Sequence, residues 1–168
     1  MLGVLAAAAS RADPVPPTTV VTVDLQRYVG RWYEIAKIPN RFQKQCARGT
    51  MAEYTLRADG RIEVLNRCTR PDGQTDEAIG VAKVADSDSN AKLKVSFVRF
   101  LGLQLFWGDY WIIGLGADYE YAIVGSPDRK YGWILSRTPR LTPEVLEAAF
   151  GTLRAQGYEP SRFEMTTQ

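Results

Sequence analysis

From residue 31 to residue 137, apolar and polar side chains alternate in short runs separated by Gly, Pro, Asn and Asp. Such runs, recurring roughly every ten residues, predict an antiparallel all-β domain rather than alternating helices and strands. The predicted strands are 31–39, 49–57, 61–68, 76–85, 91–98, 109–116, 120–125 and 131–137. Between two of them, Ala58-Asp59-Gly60-Arg61 reads as a tight hairpin, because Asp-Gly supplies the left-handed conformations such a turn needs. Asp86-Ser87-Asp88-Ser89-Asn90 and Ser126-Pro127-Asp128 read as loops. Asp24 to Tyr28 reads as a short helical turn ahead of the first strand.

Beyond residue 140 the period changes. Thr142 can cap a helix with Pro143 in its first position, and Leu141 and Leu146 are placed for a hydrophobic staple. Leu146, Ala149, Phe150 and Leu153 form one apolar stripe, and Gly157 ends the helix. Phe163 and Met165 predict a last short strand.

A length of 168 residues with 45% hydrophobic content suits one domain with a substantial core. The net charge is only +2, with Lys and Arg scattered, so the sequence offers no electrostatic footprint for nucleic acid. Histidine is absent, which removes the usual general base, the usual metal ligand and the Ser-His or Cys-His nucleophile pair. No Gly-x-Ser-x-Gly and no phosphate-cradling glycine loop occurs. Met1 to Ser10 is small and apolar and leads into Pro14-Val15-Pro16-Pro17, so residues 1–21 read as the tail of a secretory signal with a Pro-rich linker, too short to span a membrane.

Two segments carry a family likeness: Gly30-Arg31-Trp32-Tyr33-Glu34-Ile35, within Tyr28-x-Gly-x-Trp-Tyr-Glu-Ile-Ala36, and Trp133-Ile134-Leu135-Ser136-Arg137-Thr138-Pro139. Together they resemble the lipocalins, in the branch that includes bacterial, plant stress-induced and apolipoprotein D-like proteins. Asp118-Tyr119 resembles a second family signature, with Ala117 where threonine is usual. The resemblance covers about residues 22 to 168. It implies an eight-stranded antiparallel up-and-down barrel with a C-terminal helix packed outside. Gly30 and Trp32 would open the first strand, and Arg137 would lie across the Trp32 indole beneath a floor sealed by residues 24–28. It further implies one small hydrophobic ligand, a lipid by class, with no catalysis, cofactor or metal. The implied setting is export, in the periplasm or at the outer membrane. The cysteine that anchors bacterial relatives has alanine and serine at its corresponding positions here.

With Trp32 facing inward, strand alternation places Glu34, Ala36 and Ile38 inward too. The same alternation assigns to the interior Ala52, Tyr54 and Leu56; Ile62, Val64 and Asn66; Leu93, Val95 and Phe97; and Trp133 above Leu135. Matching positions in the family make Tyr54, Asn66 and Trp133 the foremost ligand contacts. An inward Glu34 requires a partner. The paired count of Cys46 and Cys68 in an exported chain points to a disulfide at the barrel rim, two free buried thiols being the alternative. Phe100, Leu101, Leu103, Leu105, Phe106 and Trp107 lie where only a loop is required; they fold in as a lid, extend the strands, or meet a membrane or a second protomer. Two other classes remain open at this point: an enzyme using a cysteine nucleophile, and an interaction module with an apolar rim.

Overall fold

The computed structural model describes residues 15–168; the signal-like run Met1–Ser10 lies outside the described residues. Asp24 caps a one-turn helix, α1 (Leu25–Tyr28), by accepting from the Gln26 and Arg27 amides. The chain then enters β1 (Gly30–Lys37) through Gly30 at φ 97°. Glycine is needed there for the positive φ, and Arg137 Nη1 lies in ordinary contact, 3.4 Å from where a side chain would begin.

Next come β2 (Arg48–Leu56), β3 (Ile62–Thr69), β4 (Thr75–Val84) and β5 (Lys92–Ser96). A small hairpin, β6 (Val98–Phe100) and β7 (Leu103–Leu105), interrupts before β8 (Gly108–Leu115), β9 (Tyr121–Gly125) and β10 (Gly132–Ser136). All pairings are antiparallel, in the order β10-β9-β8-β5-β4-β3-β2-β1, and β10 pairs back onto β1. Eight strands thus close a barrel with no free edge among them. The segment 100–107 is not a bare loop: the β6–β7 hairpin turns through Leu101 and Gly102 at φ 48° and 81°, the positive values a two-residue hairpin loop demands.

Helix α2 (Pro143–Ala155) is capped by Thr142, whose hydroxyl accepts from the Val145 amide. It stops in a paired C-terminal closure around Gly157 at φ 80°, where the Gly157 amide donates to Arg154 and the Tyr158 amide to Leu153. Its apolar stripe buries Ala149 and Leu153 against the barrel's outer face, with Ile35, Ala36, Ile113, Ile123 and Ile134. Gly125 and Gly132 make room there: side chains on them would strike the Tyr158 hydroxyl at 2.1 Å and the Phe163 ring at 2.7 Å. β11 (Glu164–Met165) pairs with the upper part of β1.

The core therefore has two layers, one inside the barrel around Trp32, Tyr28, Tyr54 and Ile112, and one between barrel and helix. Ala36 and Ile38, both expected to face the barrel interior, belong to the outer layer. The cause is a β-bulge in β1. Glu34 pairs with Leu135 but Ala36 with Ile134, so Ile35 is an extra residue and everything after it changes face.

Candidate functional site

The barrel is closed at the end where β1 begins. Trp32 is fully buried, and its indole N–H donates to the Tyr28 carbonyl at 2.8 Å. The Arg137 guanidinium stacks 3.8 Å from the Trp32 ring centroid. Its nitrogens donate to the carbonyls of Arg27, Tyr28, Arg31 and Tyr119 at 2.6 to 3.3 Å. Tyr119, at φ 60° in the turn before β9, accepts the Asp24 amide on its hydroxyl at 2.9 Å. Its neighbour Asp118 donates its amide to Glu120 in the same turn.

Directly above the floor, three tyrosines form a chain. The Tyr110 hydroxyl bonds those of Tyr28 at 2.8 Å and Tyr54 at 3.0 Å, and Tyr54 stacks on Tyr28. Burial raises all three phenols above their ordinary range, Tyr54 to about 12, so the cluster is neutral at physiological pH. Tyr54 therefore spends its hydroxyl inside the packed base of the barrel. Tyr28 enters the cluster from the floor turn, and the sequence signal for Tyr110 is its inward parity with Ile112.

Toward the mouth the packing thins. One cross-strand row begins at Trp32, 0% exposed, and runs through Ala52, 8% exposed, and half-buried Asn66 to exposed Ala78. A second runs from Tyr54 through Val64 to Gly80, and a third from Leu56 and Ile62 through Ala82 and Val95 to Gly108. The wall made by β2 to β4 thus carries small inward positions, Ala52, Ala78, Gly80 and Ala82; of these Ala78 is exposed, whereas Ala52, Gly80 and Ala82 are buried, Gly80 beneath the Phe97 ring. Ile62, Val64 and Leu93 are buried in the same layer as Trp32, while Leu56 and Val95 are half-buried against it. Phe97 stands at the rim, 41% exposed, with its ring over Gly80.

Trp133 is half-buried on the opposite wall, its indole stacked on Tyr131 and donating to the Gln43 side chain at 3.1 Å. Gln43, from the turn 41–43 over the mouth, in turn donates to Glu34 at 2.5 Å. Glu34 faces inward, 3% exposed, and also accepts from Thr166 at 2.6 Å and Lys37 at 3.3 Å. The partner an inward carboxylate requires is thus supplied threefold. Because of the bulge, Lys37 is the cross-strand partner of Trp133 and shares its inward face. Neither Lys37 nor Thr166 is legible from alternation alone. The C-terminal tail also bridges the diverging β1 and β2, since the Gln168 amide donates to the Glu34 and Thr50 carbonyls.

A disulfide joins Cys46 to Cys68 and ties the loop after β1 to the rim end of β3. With both sulfurs bonded, a cysteine nucleophile has no thiol to draw on. At the same end, the β6–β7 hairpin exposes Phe100, Leu101 and Leu103, and Phe106 follows it, also exposed. Leu105 is half-buried, its carbonyl accepting from Ser96, and Trp107 stacks under the Lys83 ammonium at 4.3 Å. Among the described residues, no cluster of His, Cys, Asp and Glu has the make-up of a metal site.

A family model described as a lipocalin-like domain matches residues 23–168. The chain is 42% identical over 149 residues to temperature-induced lipocalin-1 of Arabidopsis thaliana, covering 87% of this chain and 80% of that protein. It is 38% identical over 156 residues to the outer membrane lipoprotein Blc of Escherichia coli K12, covering 90% and 85%. The fold superposes on insecticyanin of the tobacco hornworm Manduca sexta with a TM-score of 0.73 at 23% identity, covering 94% of this chain and 86% of that one. The eight-stranded closed barrel, the outer helix and these matches over nearly the whole described chain agree: the protein belongs to the lipocalin family.

Proposed function

We propose that the protein binds one small hydrophobic ligand of the lipid class, a fatty acid or lysophospholipid, in the upper half of the barrel and carries it without chemical change. The observation that carries this reading is the fall in side-chain bulk along the inward row from Trp32 through Ala52 and Asn66 to Ala78, from a fully buried indole to an exposed methyl group. Asn66 and Trp133 supply polar edges, and Leu56 and Val95 supply apolar wall; Tyr54, Ile62, Val64 and Leu93 form the base on which the chain's end rests. Burying about 300 Å² of acyl surface at about 25 cal/mol per Å² provides on the order of 7 kcal/mol before ordering costs, consistent with micromolar affinity. The membership of an outer membrane lipoprotein among the relatives supports a place at the cell envelope after export. On this reading residues 1–21 serve export and residues 22–168 form the binding domain.

The apolar hairpin favours a lipid surface as the source of ligand. Phe100, Leu101, Leu103 and Phe106 project beside the mouth with Arg99 among them, an apolar tip with a basic flank suited to shallow insertion into anionic headgroups. A second copy of the chain is the other occupant such a tip could take. Titration with a fatty acid, followed by tryptophan emission, should saturate in the micromolar range; no saturable change contradicts the proposal. Leu101→Asp with Leu103→Asp should slow uptake from vesicles several-fold and leave uptake of dispersed ligand unchanged. A switch only from dimer to monomer would assign the hairpin to self-association instead.

A further inference from the structure

We propose that Lys37 is a headgroup-recognition residue inside the barrel, taking the carboxylate or phosphate of an anionic amphiphile whose chain lies deeper in the cup. The inference rests on the lipid-binding reading and adds the ligand's charge and orientation. An uninterrupted β1 would turn residue 37 outward with Tyr33 and Ile35, toward the helix. The extra residue Ile35 turns it inward instead, beside Trp133. An ammonium turned into a barrel interior is unfavourable unless it is paired. Glu34 pairs it at 3.3 Å, and the Lys37 side chain keeps 15% of its exposure, so it remains within reach from the mouth.

The hydrogen bonds around the pair are unequal. Glu34 is saturated by fixed neighbours, Gln43 at 2.5 Å and Thr166 at 2.6 Å, in addition to Lys37. It is held as a counter-ion whatever else Lys37 binds. The ammonium has three donors and Glu34 takes one, which leaves capacity for an incoming anion. The indole of Trp133, the cross-strand partner of Lys37, is fixed by Gln43 and by stacking on Tyr131 at 6.0 Å and provides an aromatic surface for the first methylenes of the chain. Below this point the inward residues pass from charged to neutral polar and then apolar, Asn66 and Ala52 leading to Trp32. A molecule with one anionic end and one hydrocarbon end fits that gradient in one direction only.

The test compares hexadecanoate, 1-hexadecanol and a lysophosphatidylglycerol of the same chain length, each titrated into wild-type protein, Lys37→Gln and Lys37→Arg. Glutamine keeps a donor for Glu34 while removing the charge. Wild-type protein should bind at least one anionic amphiphile about tenfold or more tightly than the alcohol. Lys37→Gln should bring that ratio to within about twofold without changing affinity for the alcohol, and Lys37→Arg should restore it. A charge-dependent gain confined to hexadecanoate assigns the site to carboxylates, and one confined to the lysophospholipid assigns it to phosphates. Absence of preference in the wild-type protein, or a preference that persists in Lys37→Gln, overturns the role of Lys37 while leaving lipid binding standing. Failure of all three amphiphiles to bind overturns both.

Discussion

The floor and the mouth of this barrel are built from the same eight strands with the same alternation, yet they are opposite in character. At the floor, the inward positions are large and every polar group is matched: Trp32 to Tyr28, Arg137 to four carbonyls, and three tyrosine hydroxyls to one another. At the mouth, the inward positions on one wall shrink to alanine and glycine, the opposite wall carries Trp133, Lys37 and Glu34, and one disulfide tethers the rim. Side-chain size at inward positions, rather than strand pattern, separates the half that supplies stability from the half that leaves room. Stability and ligand binding should accordingly respond to different residues.

The sharpest break of that division is Trp32→Ala. Removing a fully buried indole and the surface on which Arg137 stacks should destabilise the fold by about 3 to 5 kcal/mol, measured by denaturant unfolding. Arg137→Ala should cost about 2 kcal/mol, because it leaves carbonyls of the floor without donors. In a double-mutant cycle the two should couple by about 1 kcal/mol or more. Additive losses would mean that the stacked geometry contributes nothing and that the floor is held by its other contacts.

Alkaline unfolding tests the layer above. Tyr54 has a folded-state value near 12 against an ordinary 10, and Tyr28 and Tyr110 are raised as well. The folded protein therefore keeps protons that the unfolded chain releases above pH 10. The contribution is fully present below that pH and is lost as pH rises from about 10 through 12, by on the order of 2 kcal/mol for Tyr54 alone. Of the eight tyrosines, Tyr28, Tyr54 and Tyr110 should ionise only as the barrel opens, so part of the phenolate absorbance should rise together with loss of circular dichroism. Titration of the full absorbance change in folded protein would show that the tyrosine cluster is open to solvent.

Much of this architecture was legible in the sequence, and the reasons are local. The predicted strands match the eight barrel strands to within a few residues, because turn residues such as Asp59-Gly60 mark where each run stops. Helix α2 was equally clear, since Thr142, Pro143 and Gly157 carry both ends of it. The interior of β1 was not. Alternation counted forward from Trp32 is right at Glu34 and wrong at Ala36 and Ile38, since nothing in Glu34-Ile35-Ala36 announces a bulge that depends on how β10 pairs with it. The same error hid Lys37. The partners of Glu34 come from the turn over the mouth and from the C-terminal tail, contacts across the tertiary fold that spacing cannot reveal. The segment 98–105 was legible as apolar, with strand extension among its readings, but its self-paired hairpin was not, because Leu101 adopts a positive φ that its residue type does not suggest.

The central claim is that the open upper half of the barrel is where ligand sits, and Ala78→Phe tests it most directly. Ala78 faces inward opposite Asn66 yet is exposed, so a phenyl ring there fills the proposed site while disturbing no packed core. The unfolding free energy should change by no more than a surface substitution allows, about 0.5 kcal/mol, while fatty-acid affinity falls about tenfold or more. Unchanged affinity with the fold intact would place the ligand elsewhere and contradict the account.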